Sequence, residues 1–396
     1  MNKSVYLRDR FLPYIFSIPL TFISLFIKRD SKRIVFNSLV NQKFNYNSKY
    51  LFLWFIKNNK DYNSYYVVND EVLRNNLNAT IGNYFIETKS FSGKIFALKA
   101  SIWFLSGLEL PVSGFFLSYK RCVIHLGHGT PLKNIGLLEK NISFLKRMYY
   151  KIEKSNISYA VASSNTFSPI ISQFLGLPSE RIIIAGQSRN DQLFVNSDLN
   201  LKDIIGVENM KNVLYAPTWR PNVKVKLFPF DDFNMNRLID FLVKNKVNIF
   251  IRIHPSFEEE VEDRILNMPN IYLFSGKKYY EIMDYLNLFD MLITDYSSIY
   301  FDYLLLDRPL IFLPYDYDSY NSEIGFAVPY QDFTPGYKPA TMQDFMDAIY
   351  ESFYEDDKYK QARIHVNKIC NAYQQNNREE FVALLYKMGI LSTNAH

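Results

Sequence analysis

Two histidines stand where a general base or a phosphate ligand would be useful. The first, His128, lies between two glycines in the segment Gly127-His-Gly-Thr-Pro, directly after the apolar run Arg121–Leu126. The glycines let the backbone approach a ligand closely while the imidazole projects from the loop. A histidine titrates near neutral pH, so it can accept a proton from a substrate hydroxyl. We therefore predict that His128 is a catalytic base, whereas His125, inside the run, is predicted to be a packed core side chain.

The second histidine belongs to Arg252-Ile-His-Pro, which ends the apolar run that starts near Val247. The alternation of side chains along a strand places Arg252 and His254 on the same side. Pro255 ends the strand pairing and directs the chain outward. Two cationic side chains at the carboxyl end of a strand suit a pyrophosphate, so this segment is predicted to bind phosphates.

Hydroxyl groups follow a third apolar run. Asp295, Ser297 and Ser298 precede the helical pattern Ile299–Leu306. Asp295 can cap this helix, and the two serines can offer hydroxyl and backbone N–H groups to an anion at its positive end. Asp302 falls on the same helical face as Ser298. The segment predicts an anion site that lacks the lysine of a P-loop.

Two weaker segments, Ala216-Pro-Thr-Trp-Arg and Gly186-Gln-Ser-Arg-Asn-Asp, place an arginine after an apolar run. Such an arginine is more often a surface charge than a ligand. Asp316-Tyr-Asp is formally a pair of carboxylates, but we predict no metal site and no cofactor. The sequence has no GxGxxG, P-loop, HExxH or GxSxG motif, which weighs against dehydrogenases, NTPases, metalloproteases and serine hydrolases.

Short β-branched runs alternate with helical patterns after residue 30, which predicts βαβ units and two parallel, doubly wound sheets with a cleft between them. Ligands of such sheets bind beyond the carboxyl ends of the strands. The predicted strands are Arg33–Asn37, Tyr65–Val68, Ile102–Ser106, Arg121–Leu126, Tyr159–Ser163 and Ile182–Gly186, then Asn212–Pro217, Asn248–Pro255, Ile271–Phe274, Met291–Asp295 and Pro309–Pro314. The predicted helices include Tyr50–Asn58, Phe91–Ser101, Met235–Lys244 and Tyr279–Leu288, and 342–388 is predicted to be helical only.

Composition narrows the possible partners of this chain of 396 residues. Its formal net charge of +5 is too small and too dispersed for a nucleic-acid binder, so no nucleic-acid partner is predicted. The charge still favours an anionic membrane surface or a phosphorylated substrate. Cys122 and Cys370 are the only cysteines, which excludes a disulfide framework and indicates a reducing, cytosolic setting.

The N-terminal residues 1–30 form a basic and apolar segment. Phe11–Ile27 carries no charge and has basic residues on both sides. A helix of this length reaches about 26 Å, slightly short of a hydrocarbon core of about 30 Å, and Pro13 and Pro19 would kink it. We predict a monotopic anchor in the cytoplasmic leaflet. The alternatives are a buried or surface helix of the first domain, and a true membrane span.

Five segments in order carry a resemblance to a known family: His128-Gly-Thr-Pro-Leu-Lys, Ser188-Arg-Asn-Asp, Tyr215-Ala-Pro-Thr-Trp-Arg, Arg252-Ile-His-Pro and Leu292-Ile-Thr-Asp-Tyr-Ser-Ser-Ile-Tyr-Phe-Asp-Tyr. Together they resemble the CDP-glycerol glycerophosphotransferase family of teichoic acid and capsule biosynthesis. Pro335-Gly336 is similar to a later loop of that family. The agreement extends over roughly residues 32–340.

The resemblance implies a GT-B fold, in which two Rossmann-like domains are present and the C-terminal one holds the nucleotide-activated donor. It implies an N-terminal acceptor domain over residues 31–195, a donor domain over 196–375 that begins in the polar join 195–211, and a C-terminal helix over 376–396. It gives His128 the role of base. It also implies that His254 and Arg252 bind the donor phosphates. The implied donor-site positions are His128, Gly129, Thr130, Pro131, Leu132, Arg189, Pro217, Thr218, Arg252, Ile253, His254, Ser297, Ser298 and Asp302.

The implied reaction moves glycerol phosphate from CDP-glycerol to a hydroxyl of a membrane-associated acceptor, lipid-linked or glycan, and releases CMP. The implied place is the cytoplasmic face of the bacterial cell membrane. Two departures concern the donor or acceptor: Ile324-Gly-Phe, preceded by Glu323, replaces the usual Arg-Gly-Phe, and no proline precedes Arg189. Three alternatives stay open: a CDP-ribitol or other CDP-alditol donor, a sugar-nucleotide glycosyltransferase or epimerase of GT-B shape, and a catalytically silent membrane scaffold.

Overall fold

The computed structural model of this protein describes residues 11–195, 209–218, 220, 225–253, 258 and 267–392. These residues form two compact units. The first contains residues 11–130, 135–191 and 372–392, and the second contains 131–134 and the described residues between 192 and 371. Most of the predicted join, 195–211, lies outside the described residues, as does His254. The domain boundaries predicted from the sequence stay a prediction.

The first unit is built on a parallel sheet whose described strands number seven, in the order β3-β2-β1-β4-β5-β6-β7. The strand order reverses between β1 and β4, as in doubly wound folds. The strands are β1 Asp30–Asn37, β2 Asn63–Val67, β3 Phe85–Ile86, β4 Ala100–Leu105, β5 Cys122–His125, β6 Tyr159–Ala162 and β7 Ile182–Ile184. The helices are Leu12–Phe16, Ile18–Phe26, Tyr46–Asn58, Glu71–Thr80, Phe91–Leu98, Phe144–Asn156, Ser168–Leu175 and Asn377–Lys387.

The second unit repeats this plan with five described strands in the order β10-β9-β8-β11-β12, all parallel. Here the strand order reverses between β8 and β11. The strands are β8 Lys211–Tyr215, β9 Val247–Ile251, β10 Ile271–Leu273, β11 Met291–Thr294 and β12 Leu310–Phe312. The helices are Met235–Lys244, Ile299–Tyr303, Tyr317–Glu323, Tyr330–Phe333, Met342–Tyr354 and Lys360–Cys370.

Apolar residues on both sides of each strand explain why the sheets are parallel and covered. In β1, Ile34 and Phe36 pack into one cluster of buried side chains, while Val35 packs into another with Trp103 of β4. All five residues of β9 are buried. A strand that is apolar on both faces needs helices on both faces, which the βαβ connections supply. The predicted α/β class with two parallel, doubly wound sheets is confirmed.

One predicted helix is wrong. Instead of a helix over Tyr279–Leu288, the chain forms short 3₁₀ turns at Ile282–Asp284 and Leu286–Leu288. The guanidinium of Arg252 donates hydrogen bonds to the carbonyls of Tyr279 at 2.8 Å and Tyr280 at 3.3 Å. Carbonyls that accept from this side chain are turned away from the helical ladder.

The apolar N-terminal run is two short helices that break at Ser17, each with a proline near its start. One side of the pair packs on the first unit, where Tyr14 and Leu20 are buried. Among the residues described, no helix has both the length and the apolar character needed to cross a bilayer.

Candidate active site

The predicted base, His128, follows β5 at the carboxyl edge of the first sheet. Gly127 and Gly129 have φ of 70° and 151°, a conformation that a side chain at either position would strain. The imidazole is exposed, and its ring centroid lies 5.3 Å from that of Tyr46. Its Nδ1 lies 3.1 Å from the carbonyl oxygen of Ser106, the residue after β4. The exposed imidazole therefore lies at the edge where ligands of such sheets bind.

The contact with Ser106 fixes the tautomer of His128. A carbonyl oxygen can only accept a hydrogen bond, so Nδ1 carries the proton. In the neutral ring, Nε2 then carries the lone pair. The geometry thus prepares Nε2 to take a proton, which is what a general base requires.

A network of buried amide and guanidinium groups holds the His128 loop. Asn47 donates from Nδ2 to the carbonyls of Leu126 at 3.2 Å and Gly127 at 3.0 Å, and its Oδ1 accepts the backbone N–H of Arg189. The guanidinium of Arg189 in turn donates to the carbonyl of His128 at 2.7 Å. Arg189 is only 6% exposed, and its guanidinium binds the backbone of His128.

Thr130 continues this network. Its hydroxyl donates to Ser163 at 3.0 Å and accepts from the side-chain amide of Gln187 at 3.1 Å. The structure therefore brings together four predicted positions of the first unit: His128, Gly129, Thr130 and Arg189. Asn47, Ser106 and Gln187 were not predicted to be site residues.

His125 is the last residue of β5 and is buried next to the same loop. Burial, with a smaller contribution from the charge of His128, lowers its pKa to about 3, so the ring is neutral at physiological pH. Its prediction as a packed core side chain is confirmed by its exposure of 3%.

In the second unit, Arg220 organises the carboxyl ends of β8, β11 and β12. Its Nε and Nη2 donate to Asp316 at 2.7 and 2.8 Å, and its Nη1 lies 3.0 Å from Asp295. Burial disfavours the charge of Arg220, but the hydrogen bonds to Asp316 and the charge of Asp295 outweigh it and raise its pKa. The expectation of a surface arginine is wrong for both segments, since Arg220 is 5% exposed and Arg189 is 6% exposed.

Asp295 does not cap the helix that follows it, contrary to prediction. Its Oδ1 accepts the backbone N–H groups of Thr218 at 2.7 Å and Tyr296 at 2.6 Å. Ser298 is the N-cap residue of the helix Ile299–Tyr303, and it makes no side-chain capping bond. The carboxylate therefore joins the loops after β8 and β11, in line with its ion pair to Arg220.

The remaining predicted donor positions differ in their exposure and in the hydrogen bonds they already make. Ser297, Ser298 and Pro217 are partly exposed at the carboxyl edge of the second sheet. Asp302 is 0% exposed, and Ile253, at 7%, is core. The guanidinium of Arg252 donates hydrogen bonds to the carbonyls of Tyr279 and Tyr280, in the loop after β10. His254 lies outside the described residues, as does Trp219.

Pro131 and Leu132 leave the His128 loop and belong to the second unit. Leu132 is fully buried, and its carbonyl accepts the N–H of Ala327 at 2.8 Å. Asn134 donates to the carbonyl of Gly325 at 3.0 Å. The departure Ile324-Gly-Phe thus lies beside this segment, and the neighbouring Glu323 is exposed.

Comparison with known proteins decides the family. The family model described as CDP-Glycerol:Poly(glycerophosphate) glycerophosphotransferase matches residues 20–386. The chain belongs to this family. The resemblance predicted from the five segments is confirmed, and with it the predicted class of enzyme, a glycerophosphotransferase of teichoic acid biosynthesis.

Two relatives from Staphylococcus aureus illustrate the range of the match. The chain is 27% identical over 278 residues to a teichoic acid glycerol-phosphate transferase, covering 66% of this chain and 70% of the relative. It is 27% identical over 206 residues to the teichoic acid ribitol-phosphate polymerase TarL, covering 50% of this chain but 36% of that polymerase.

A solved structure of the wall teichoic acid polymerase TagF, a histidine-to-asparagine variant soaked with CDPG, has the same fold. The TM-score is 0.76 at 21% sequence identity, and the match covers 98% of both chains.

Proposed function

We propose that this member of the family transfers glycerol phosphate from CDP-glycerol to a hydroxyl group of a membrane-associated acceptor and releases CMP. The observation that carries the proposal is the contact of His128 Nδ1 with the carbonyl of Ser106 at the carboxyl edge of the first sheet, which makes Nε2 the ring nitrogen that can accept a proton. The proposal keeps the GT-B assignment, in which each parallel sheet is one Rossmann-like domain.

The proposed step is a single displacement at phosphorus. The acceptor oxygen attacks the β-phosphorus of CDP-glycerol, and its proton passes to Nε2 of His128. The bond from that phosphorus to the bridging oxygen breaks, and CMP leaves with the electron pair. Phosphoryl-type transfer depends on positioning and charge stabilisation more than on covalent chemistry. The imidazole of His128, held by the carbonyl of Ser106, supplies the base in this step.

We assign the donor to the second unit, at the carboxyl ends of β8, β9 and β11. Ser297 and Ser298 would offer hydroxyl and backbone N–H groups to the phosphates. The role of His254 and Arg252 on the phosphates stays a prediction, since His254 lies outside the described residues and Arg252 has carbonyl partners. The acceptor, a lipid-linked or glycan hydroxyl, is assigned to the first unit.

The test is CMP release by the purified full chain with a panel of CDP-glycerol, CDP-ribitol and UDP-sugar donors, each with a candidate acceptor. We expect turnover of CDP-glycerol and a mass increase of one or more glycerol phosphate units in the product. Turnover of CDP-ribitol alone would support the second candidate, which the similarity to a ribitol-phosphate polymerase favours. UDP-sugar turnover alone, or donor binding without turnover, would reject both.

We also propose that the chain is held at the cytoplasmic face of the membrane by its two N-terminal helices. Phe16, Phe22 and Phe26 are 76%, 61% and 87% exposed, while the opposite side of the helices packs on the first unit. Exposed aromatic side chains beside basic flanks are typical of helices that lie in a bilayer interface.

Replacing Phe16, Phe22 and Phe26 by aspartate is expected to lower binding to vesicles of anionic lipid at least tenfold, because each buried Phe contributes about 1.5–3 kcal/mol. Co-sedimentation with vesicles measures this effect. The control variant carries aspartate at Val72 and Phe91, which are also exposed on the first unit. Equal binding by both variants and the unmodified protein would show that the N-terminal helices do not hold the chain at the membrane.

A further inference from the structure

Lys133 is a lysine of the second unit to which neither the proposed reaction nor the predicted donor positions give a role. Its backbone is fixed on both sides, because Leu132 and Asn134 hydrogen-bond to the segment Gly325–Ala327. Lys133 itself forms an antiparallel bridge with Phe326. The direction of the Cα–Cβ bond of Lys133 is therefore fixed by its backbone.

The ammonium of Lys133 is partly buried beside charged groups that are already committed. Asp295 attracts it and Arg220 repels it, so both are its electrostatic neighbours. Burial of the side chain lowers the pKa of Lys133. The carboxylate of Asp295, however, already forms an ion pair with Arg220, which also donates two hydrogen bonds to Asp316. In the described part of the chain, the side-chain ammonium of Lys133 forms neither a hydrogen bond nor an ion pair.

A partly buried ammonium that no carboxylate contacts directly is costly unless a ligand supplies a bonded anion. The neighbouring Asp295 directly follows β11, and two residues further on lie Ser297 and Ser298, the partly exposed serines of the predicted anion site. An anion bound there would meet hydroxyl groups and the three N–H donors of an ammonium. Charge-assisted bonds of this kind are the stronger class of hydrogen bond.

We propose that Lys133 binds a phosphate of the nucleotide-activated donor. This inference rests on the proposed function, since it names a further ligand of the same donor. The ammonium acts as a point charge on a phosphate oxygen, and no bond is made or broken at lysine. Lys133 is thus a substrate-binding residue beyond the implied donor positions of this loop, which end at Leu132.

The test measures the affinity of the full chain for CDP-glycerol and CDP by calorimetry. Lys133→Met is expected to weaken both about ten- to hundredfold, the usual effect of losing a hydrogen bond to a charged group. Lys133→Arg, which keeps the charge, is expected to stay within about threefold of the unmodified protein. The unfolding temperature of each variant is measured alongside.

Lys338 provides the matched control. It is also partly buried in the second unit with a lowered pKa caused by burial, but its ammonium donates to the carbonyl of Thr334 at 2.8 Å. Lys338→Met is expected to leave donor affinity unchanged. An equal loss in both methionine variants would overturn the inference, because burial of a lysine rather than contact with the donor would then explain it.

Four other outcomes also decide the inference. Donor affinity of Lys133→Met within threefold of the unmodified protein would overturn it while leaving the proposed function standing. A loss confined to CDP-glycerol, with CDP unaffected, would reject the phosphate as the group recognised. If neither Lys133→Met nor Lys133→Gln folds, the lysine is structural and the inference fails. No binding of any CDP-alditol by the unmodified protein would instead reject the proposed function.

Discussion

Replacing His128 by alanine is expected to lower kcat by at least about 10²-fold, because general-base assistance contributes about 10²–10⁴ to rate. The variant loses the Nε2 that accepts the proton of the acceptor hydroxyl. Donor affinity is expected to survive, since the groups proposed to bind the donor phosphates belong to the second unit. Single-turnover CMP release and calorimetric donor binding measure the two quantities separately.

Two further variants separate base chemistry from packing. In His128→Asn, the side-chain amide can still donate to the carbonyl of Ser106, but it has no basic nitrogen. Its turnover should fall as far as that of the alanine variant. His365→Ala removes an exposed histidine of the second unit and should leave turnover unchanged. Near-normal turnover in either His128 variant would remove this residue from the proposed mechanism.

The prediction of His128 and the failure to predict its partners have the same physical origin. An apolar run that ends in glycine, histidine and glycine is visible in the sequence, because strand and loop are adjacent in the chain. The partner carbonyl of Ser106 comes from the end of β4, which pairs with β5 through a crossover. Asn47 comes from the helix after β1. Such neighbours are set by strand order, which local periodicity does not give.

The segment Ser188-Arg-Asn-Asp illustrates how a motif can be recognised before its role is. Its Asp191 accepts the backbone N–H groups of Asn377 at 2.7 Å and Arg378 at 2.9 Å, at the start of the last described helix. A Cβ at Gly186 would come within 1.5 Å of the side chain of Asn377, so only glycine allows this approach. The motif therefore positions Arg189 and also anchors the C-terminal helix to the first unit. Nothing near residue 190 in the sequence indicates a partner 186 residues away.

Arg220 was misjudged for a related reason. An arginine after a strand is usually solvated, and its two carboxylate partners follow β11 and β12, far along the chain. Only the parallel arrangement of β8, β11 and β12 brings the three strand ends together. The same arrangement explains why Asp316, formally part of an acid pair, serves an arginine.

Arg220→Met is expected to destabilise the second unit by about 3–5 kcal/mol, the usual cost of leaving a buried carboxylate without its cation. Asp295, which is 2% exposed, would lose its only described ion pair. Urea unfolding measures the loss. Hydrogen exchange at the amides of Thr218 and Tyr296, both bound to Asp295, should speed up with it.

A variant with restored neutrality separates the effect of charge on stability from the effect of packing. Adding Asp295→Asn and Asp316→Asn to Arg220→Met removes the uncompensated charges, so stability should partly recover. Arg308→Met, whose guanidinium donates to the carbonyls of Asn287 and Phe289, should cost only about 1–2 kcal/mol. Equal losses for the two arginine variants, with no recovery in the triple variant, would show that shape rather than charge compensation makes Arg220 necessary. Recovery would instead establish the ion cluster as the element that joins the loops after β8, β11 and β12, on which the proposed donor contacts of Ser297, Ser298 and Lys133 depend.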